Sequence, residues 1–145
     1  MSKKSGSRTS KPKFDPRIVK AHKAYVNAIN SNITSRVMAC YDKDAQVMQP
    51  DGPLVHGHKA IEKWVAGYFK EYKTHWDKVS KLIWVAGDYG FDQGVDSAVD
   101  IPRNGGCTQR YTVKGLLIYK RQANGEFKVY RDIWNFNSVP TFTRG

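Results

Sequence analysis

The spacing of apolar residues changes once along this 145-residue chain, and that change most constrains its fold. Up to Tyr72 the apolar residues recur at helical spacing, and beyond it they alternate with a period of two. Asp15 before Pro16 predicts the N-cap and first residue of one helix, which ends near residue 30. Two further helices are expected at about 34–41 and 58–72.

Strands are expected before and after the third helix. Short ones are predicted at 44–50 and 54–56, and long ones at 79–86, 91–101, 108–121 and 127–136. Glycine-containing turns join the four long segments, which is typical of antiparallel hairpins. Helices followed by a run of strands predict an α+β domain, a curved sheet with helices on one face.

The charge of the chain is concentrated at its N-terminus. Of a net charge of +11, residues 1–20 contribute +6 (seven basic residues, one acidic) and residues 21–145 contribute +5. We therefore expect a disordered basic tail at 1–14, a folded domain at 15–138 and a C-terminal extension at 139–145. The tail either solubilises the protein or tethers it to phosphate groups.

Several classes of protein are disfavoured. No apolar stretch reaches the roughly 18 residues that span a bilayer, so no membrane association is expected. Cys40 and Cys107 lie far apart, which favours free thiols and a cytoplasmic protein over a single disulfide. The cysteines lack metal-type spacing, and neither a metal nor another cofactor is expected. The body has no Gly-rich phosphate loop, so nucleic-acid binding is expected through the tail alone.

The turns also predict how the last strands pair. A two-residue turn at 124–125 pairs Lys114 with Asn135, and a three-residue loop at 104–106 pairs Asp96 with Lys114. These polar residues form either cross-strand pairs near a sheet edge or part of a cavity. One helical layer covers one face of a sheet, so the other face is a candidate homodimer surface. That face is predicted to carry Asp132 and the aromatic dimer residues Tyr119, Tyr130 and Trp134.

Four segments, in this order and spacing, resemble a known family. They are AYVNAIN, CYDKDAQVMQPDGPLVHGHKAIEKWV, GDYGFDQG and YTVKGLLIYKRQANGEFKVYRDIWN. Across residues 18–137 they resemble the nuclear transport factor 2-like superfamily, in its SnoaL-like and ketosteroid-isomerase-like branch. The resemblance implies a cone-shaped, cystatin-like roll. Three N-terminal helices pack there on a strongly curved antiparallel sheet around an internal pocket.

The resemblance also implies roles for individual residues. In the isomerases of this family a tyrosine of the first helix stabilises a developing oxyanion, and this tyrosine matches Tyr25. The general-base position falls on Gln49, an amide that cannot accept a proton at neutral pH. The position of an assisting neutral acid falls near Lys114 or Gly115, and neither is an acid. Steroid isomerisation by that route is therefore not expected.

The resemblance places Asp96, Lys114 and Asn135 on the pocket side of the sheet. The predicted catalytic residues are Tyr25, Asp96 and Lys114. The predicted ligand-binding residues are Gln49, His56, Trp64 and Asn135.

Three functions follow from these observations. The first is binding of a small apolar or cyclic molecule, with isomerase, cyclase or lyase chemistry and no cofactor. The second is a non-catalytic association module that dimerises through the outer sheet face. The third is nucleic-acid binding through the tail.

Overall fold

The computed structural model describes residues 14–144, so the predictions for the tail at 1–13 lie outside the described residues. The three helices are α1 (Pro16–Ser31), α2 (Thr34–Met38) and α3 (His58–Glu71). The described strands are β1 (Tyr41–Met48), β2 (Val55–His56), β3 (Tyr72–Ala86), β4 (Tyr89–Pro102), β5 (Cys107–Arg121), β6 (Phe127–Phe136) and β7 (Thr141–Arg144).

Helix α1 begins where the sequence predicts. The Asp15 side chain accepts a hydrogen bond from the Arg17 backbone N–H at 2.9 Å, and Pro16 takes the first helical position. The helix ends at Asn32, which adopts a left-handed conformation with φ 56°. The buried side of α1 carries Tyr25, and this side faces the sheet.

The strands form one mixed sheet in the order β2-β1-β6-β5-β4-β3, with β7 beside one end of β5. Strand β1 pairs with β6 in parallel and the other described pairs are antiparallel. The helices cover one face of this sheet, here called the inner face, and the core lies between them. The α+β fold class is therefore confirmed, with one parallel pair in a sheet that was expected to be antiparallel.

The predicted register of β4 with β5 is wrong by one residue. The connecting loop comprises the four residues Arg103–Gly106, so Asp96 pairs with Val113 and Val95 pairs with Lys114. Because side chains alternate between the faces of a strand, this slip separates Asp96 from Lys114. Asp96 lies on the inner face and Lys114 on the opposite, outer face.

A β-bulge at Tyr130 changes which residues at the end of β6 face inward. Ile118 pairs with Arg131 whereas Tyr119 pairs with Val129, so Tyr130 is an extra residue in β6. The alternation shifts at this point, and Val129 and Asp132 both face inward. The pairing of Lys114 with Asn135 is as predicted, but this pair lies on the outer face.

Strand β3 is an edge of the sheet. Part of that edge is covered by Asn30, near the end of α1, and by Asn32, the C-cap of α1. Asn30 accepts from the Trp76 N–H at 2.8 Å and donates to the Trp76 carbonyl at 2.9 Å. Asn32 makes the same two bonds with Thr74, at 2.8 and 3.0 Å. These four bonds fix the end of α1 against β3.

The two ends of the domain differ slightly from the predicted boundaries. Phe14, placed in the tail by the sequence, packs against the core. The C-terminal extension contains β7, which pairs with the Cys107–Arg110 segment of β5. The side chains of β7 are exposed, so its pattern carries no alternation from which a strand could be predicted.

Candidate functional site

A cavity of about 250 Å³ lies between the helices and the inner face of the sheet. Most of its wall is aromatic or aliphatic. The aromatic residues of the wall are Tyr25, Tyr41, Trp64, Tyr68, Phe69, Trp76, Tyr111, Trp134 and Phe136. A concave apolar site with a few polar groups is the usual form of a small-molecule site.

Two hydroxyls and one carboxyl meet in this wall and are called the Asp132 group: Tyr25, Tyr41 and Asp132. The Tyr25 hydroxyl donates to Oδ2 of Asp132 at 2.7 Å and lies 2.6 Å from the Tyr41 hydroxyl. The Tyr41 hydroxyl also lies 3.4 Å from the same carboxyl oxygen. Tyr25 comes from α1, Tyr41 from β1 and Asp132 from β6, which lies beside β1.

Burial dominates the electrostatics of the Asp132 group. Asp132 is 7% exposed, and desolvation raises the pKa of its carboxyl. The positive charge of Lys78 and the hydrogen bond from Tyr25 oppose that rise without cancelling it. Burial, followed by the charge of Asp132, raises the pKa of Tyr25 well above its usual range. The group therefore favours protonated hydrogen-bond donors.

A buried ion pair lies beside the cavity. Nζ of Lys78 is 2.6 Å from Oδ2 of Asp96, and the two side chains are 10% and 8% exposed. The ammonium group also lies 4.9 Å from the ring centroid of Trp76. Lys78 lines the cavity, so a side chain paired with Asp96 forms part of the cavity wall.

A second polar cluster, called the Asp100 group, supports another part of the wall. Asp100 accepts hydrogen bonds from Tyr68, from Thr74 Oγ1 at 2.6 Å and from Tyr111 at 2.7 Å. Burial raises the pKa of both tyrosines well above the usual range, so their hydroxyls remain donors. The carboxyl thus orients two aromatic rings of the cavity wall.

The structure brings together part of the predicted site. Tyr25, Gln49 and Trp64 line the cavity. Asp96 does not line it, and reaches it through Lys78. Gln49 Nε2 donates to the Pro53 carbonyl at 3.2 Å, so this amide is held within the loop at the cavity mouth.

Three other predicted site residues lie elsewhere, which corrects their placement. Lys114 is exposed on the outer face and donates to the Phe136 carbonyl at 3.0 Å. Asn135, its cross-strand partner, is exposed on the same face. His56 is exposed, and its Nδ1 lies 2.8 Å from Gln46 Nε2. The loop length and the bulge explain the first two differences.

The predicted dimer surface also needs correction. Tyr119 is 0% exposed and Trp134 lines the cavity, so both belong to the inner face. Tyr130 remains on the outer face, where the guanidinium carbon of Arg131 lies 3.8 Å from its ring centroid. Because of the bulge, Trp134 lies on the opposite face from Tyr130, with which it was predicted to share the dimer surface.

Sequence reasoning missed the acid of this site. Asp132 was assigned to the outer face, and Lys78 and Tyr41 carried no prediction as site residues. Asp132 lies in the Arg131–Asn135 segment that supported the family resemblance, but its burial depends on the bulge at Tyr130. A single carboxyl flanked by Arg131 and Ile133 gives no sequence signal of its own.

Between residues 14 and 144 no three His, Cys, Asp or Glu side chains are grouped so that they could hold a metal ion. None of the three described helices has the length and hydropathy to cross a membrane.

The fold and the site define a class, a helix-covered mixed sheet that encloses a ligand-sized cavity. No protein-family model and no curated protein matches the sequence. Solved structures do match. A ketosteroid isomerase-like protein from Erwinia carotovora atroseptica has a TM-score of 0.77 and 19% identity, with 85% of this chain and 95% of that chain covered.

Two more structures have the same architecture. A nuclear transport factor 2-like superfamily protein from Salmonella enterica has a TM-score of 0.75 and 14% identity, covering 86% of this chain and 93% of that one. A hexachlorocyclohexane dehydrochlorinase has a TM-score of 0.76 and 14% identity, covering 90% and 88%. The chain therefore has the nuclear transport factor 2-like fold, as the sequence resemblance predicted.

Proposed function

We propose that the domain binds a small cyclic ketone or phenol in its cavity and catalyses a cofactor-independent proton transfer of the isomerase, cyclase or lyase type. The observation that carries this proposal is the Asp132 group in an otherwise aromatic wall. A planar ring fits between aromatic side chains, and its oxygen would accept hydrogen bonds from the protonated group.

The Asp132 group is suited to stabilise negative charge on oxygen. Removal of a proton from the carbon next to a carbonyl moves charge onto the carbonyl oxygen. Donors already in place around that oxygen lower the barrier, because they need no reorganisation during the reaction. The protonated carboxyl of Asp132 is one such donor, and the Tyr25 hydroxyl, which donates to Asp132 in the ligand-free protein, becomes a second when it turns to the ligand oxygen. Asp132 thereby takes the place of the neutral acid that the family pattern put near Lys114 or Gly115.

A proton acceptor is also required, and Gln49 cannot serve. Asp51 is two residues further along the same loop, lines the cavity and is exposed, which places its carboxylate at the cavity mouth. The Asp51 side chain is open to solvent, whereas burial raises the pKa of Asp132 and favours its neutral form. We assign the general base to Asp51, which takes the carbon-bound proton while Asp132 and Tyr25 bind the oxygen.

The structural neighbours support this reaction type. One is named a dehydrochlorinase and another a ketosteroid isomerase-like protein. Elimination of hydrogen chloride and isomerisation of a ketone both begin with removal of a proton from carbon. The cytoplasmic location and the lack of a cofactor stay predictions from the sequence.

Binding of 4-nitrophenol tests the site, because its phenolate resembles an enolate and the cavity tryptophans report binding by fluorescence quenching. We expect Tyr25→Phe to weaken binding about tenfold or more, since a hydrogen bond to a charged group is worth about 1.5–3 kcal/mol. The matched control is Tyr111→Phe, which removes a cavity hydroxyl that is bonded to Asp100. Equal losses in the two variants would contradict the assigned role of Tyr25.

The same variants separate binding from catalysis. The protein should accelerate exchange of the α-protons of 2-tetralone in D₂O, measured by proton NMR. Asp51→Asn should abolish the acceleration and leave 4-nitrophenol affinity within about twofold, because Asp51 acts on the carbon-bound proton. Wild-type exchange no faster than the buffer rate would exclude the catalytic half of the proposal.

We propose as a second function that two copies associate through the outer face of β3 and β4. Val79 and Val95 lie opposite each other on these strands, and the Trp84 ring stacks on Phe91 with centroids 4.8 Å apart. Val79, Leu82, Val95 and Trp84 are 49%, 45%, 43% and 40% exposed, a large apolar strip for a single surface.

Sedimentation velocity at micromolar concentration tests the association. The wild-type protein is expected to sediment as a dimer. The double variant Leu82→Glu/Trp84→Glu should sediment as a monomer, since it places charges within an apolar contact. Glu62→Lys on the exposed side of α3 is the control and should remain dimeric. A wild-type monomer at this concentration would rule out the association.

A further inference from the structure

A small polar space lies beneath the sheet, next to the main cavity. It has a volume of about 20 Å³, enough for one water molecule. The paired glycines Gly94 and Gly115 line it, and a Cβ at Gly94 would approach the Val79 carbonyl oxygen to 2.6 Å. Its ionisable lining residues are His22, Lys78, Asp92, Asp96 and Asp132.

Both ring nitrogens of His22 have hydrogen-bond partners. Its Nδ1 lies 2.8 Å from Oδ2 of Asp92 and its Nε2 lies 3.1 Å from the Lys78 carbonyl oxygen. The Lys78 carbonyl can only accept, and a carboxylate at Asp92 can only accept as well, so this arrangement suits an imidazolium with a proton on each nitrogen. The side chain of His22 is 15% exposed and that of Asp92 is 3% exposed, so this pair connects the buried space with solvent.

The charges of the five side chains balance when two of them hold extra protons. Lys78 is positive, and three carboxyls are present. Neutrality results if His22 is protonated and one carboxyl is neutral. Burial raises the pKa of Asp132, which favours Asp132 as the neutral carboxyl. For His22, burial lowers the pKa, but the hydrogen bond and charge of Asp92 outweigh it and raise the pKa above 6.5.

We propose that one water in this space joins the His22–Asp92 pair to Asp132, so that these groups share protons. His22 is then the route by which the Asp132 carboxylate regains a proton from solvent. The His22 Nδ1 proton moves to Asp92, Asp92 gives a proton to the water, and the water gives one to the Asp132 carboxylate. The Ser80 hydroxyl, whose Oγ lies 3.3 Å from Nδ1, then gives its proton to this nitrogen and takes one from solvent, so that His22, Ser80 and Asp92 end unchanged.

The groups that face Asp132 come from four elements. Helix α1 supplies His22 and Tyr25, β1 supplies Tyr41, β3 supplies Lys78, and β4 supplies Asp92 and Asp96. The Tyr119 hydroxyl of β5 donates to Oδ2 of Asp92 at 3.3 Å, the same oxygen that contacts His22. The proposal goes beyond ligand binding, because proton sharing exists in the ligand-free protein.

Carboxyl ¹³C and imidazole ¹⁵N NMR titrations of the ligand-free protein test the coupling. His22→Gln removes a positive charge and should raise the Asp132 midpoint by about one pH unit. Asp92→Asn removes a negative charge and should lower the same midpoint. His75→Gln is the control, since that side chain is 63% exposed, and it should change nothing. If neither His22→Gln nor Asp92→Asn changes the titration midpoint of Asp132, the proposal is overturned.

Two further measurements separate the route from simple charge coupling. A crystal structure at neutral pH should show an ordered water bonded to Asp132 and Asp92, and its absence would overturn the route. The raised His22 pKa stabilises the fold below about pH 6.5, and this contribution is lost as pH rises through the folded value. His22→Gln should flatten that decline in urea unfolding. None of these results depends on whether 4-nitrophenol or 2-tetralone is accepted.

Discussion

Lys78→Met is expected to lower the free energy of unfolding by about 3–5 kcal/mol, measured by urea denaturation at neutral pH. The substitution keeps an unbranched stem that can pack near Trp76, and it removes the charge that lies 2.6 Å from Asp96. Because both side chains are buried, Asp96 would be left as an uncompensated charge with little access to water. The loss should therefore exceed that of an ordinary lysine substitution.

Lys114→Met is the matched control for this experiment. Lys114 is exposed on the outer face, so its replacement should change the free energy of unfolding by less than about 0.5 kcal/mol. The double variant Lys78→Met/Asp96→Leu should recover much of the loss, because an apolar pair can replace a buried ion pair. Equal effects of Lys78→Met and Lys114→Met would show that the ion pair does not form.

Asp100→Asn is expected to destabilise the protein by about 2–4 kcal/mol in the same assay. Asp100 accepts from three hydroxyl groups, those of Tyr68, Thr74 and Tyr111. An asparagine has the same size but offers an N–H₂ group toward hydroxyls that must donate, so at least one buried hydroxyl loses its acceptor. The near-ultraviolet circular dichroism should also weaken, because two aromatic rings lose their fixed orientation.

Asp77→Asn makes the corresponding change where no buried network exists. The Asp77 side chain is 72% exposed and lies on the same strand as Thr74. Its substitution should leave both the free energy of unfolding and the aromatic signal nearly unchanged. A response to Asp100→Asn no larger than this one would mean that the Asp100 group does not hold the cavity wall.

The elements of the fold were predictable because their signals are local. The cap at Asp15, the helical stripe through Tyr25 and the glycine turns each act within a few residues. The helices and the long strands therefore lie close to their predicted positions, although β3 begins at Tyr72 rather than near Val79. Its first half follows α3 directly, with a C-cap in extended conformation at Tyr72 and no glycine between them.

The site was harder to predict because it depends on single-residue offsets. One extra loop residue, Arg103, shifts β5 against β4, and one extra strand residue, Tyr130, shifts the end of β6. Each offset exchanges the two faces of a strand. The family resemblance predicted Tyr25 on a helix, where no strand register is needed, and Tyr25 does line the cavity, whereas Asp132 and Lys114 were assigned to opposite sides of the sheet from where they lie.

The contacts of Asn30 and Asn32 with β3 bear on how the protein avoids uncontrolled aggregation. An open edge strand offers free N–H and C=O groups to any other extended chain. Here two side-chain amides occupy the backbone groups of Trp76 and Thr74, and so imitate a short neighbouring strand. A substitution such as Asn30→Ala would reopen this part of the edge and leave it available for fibre-like growth.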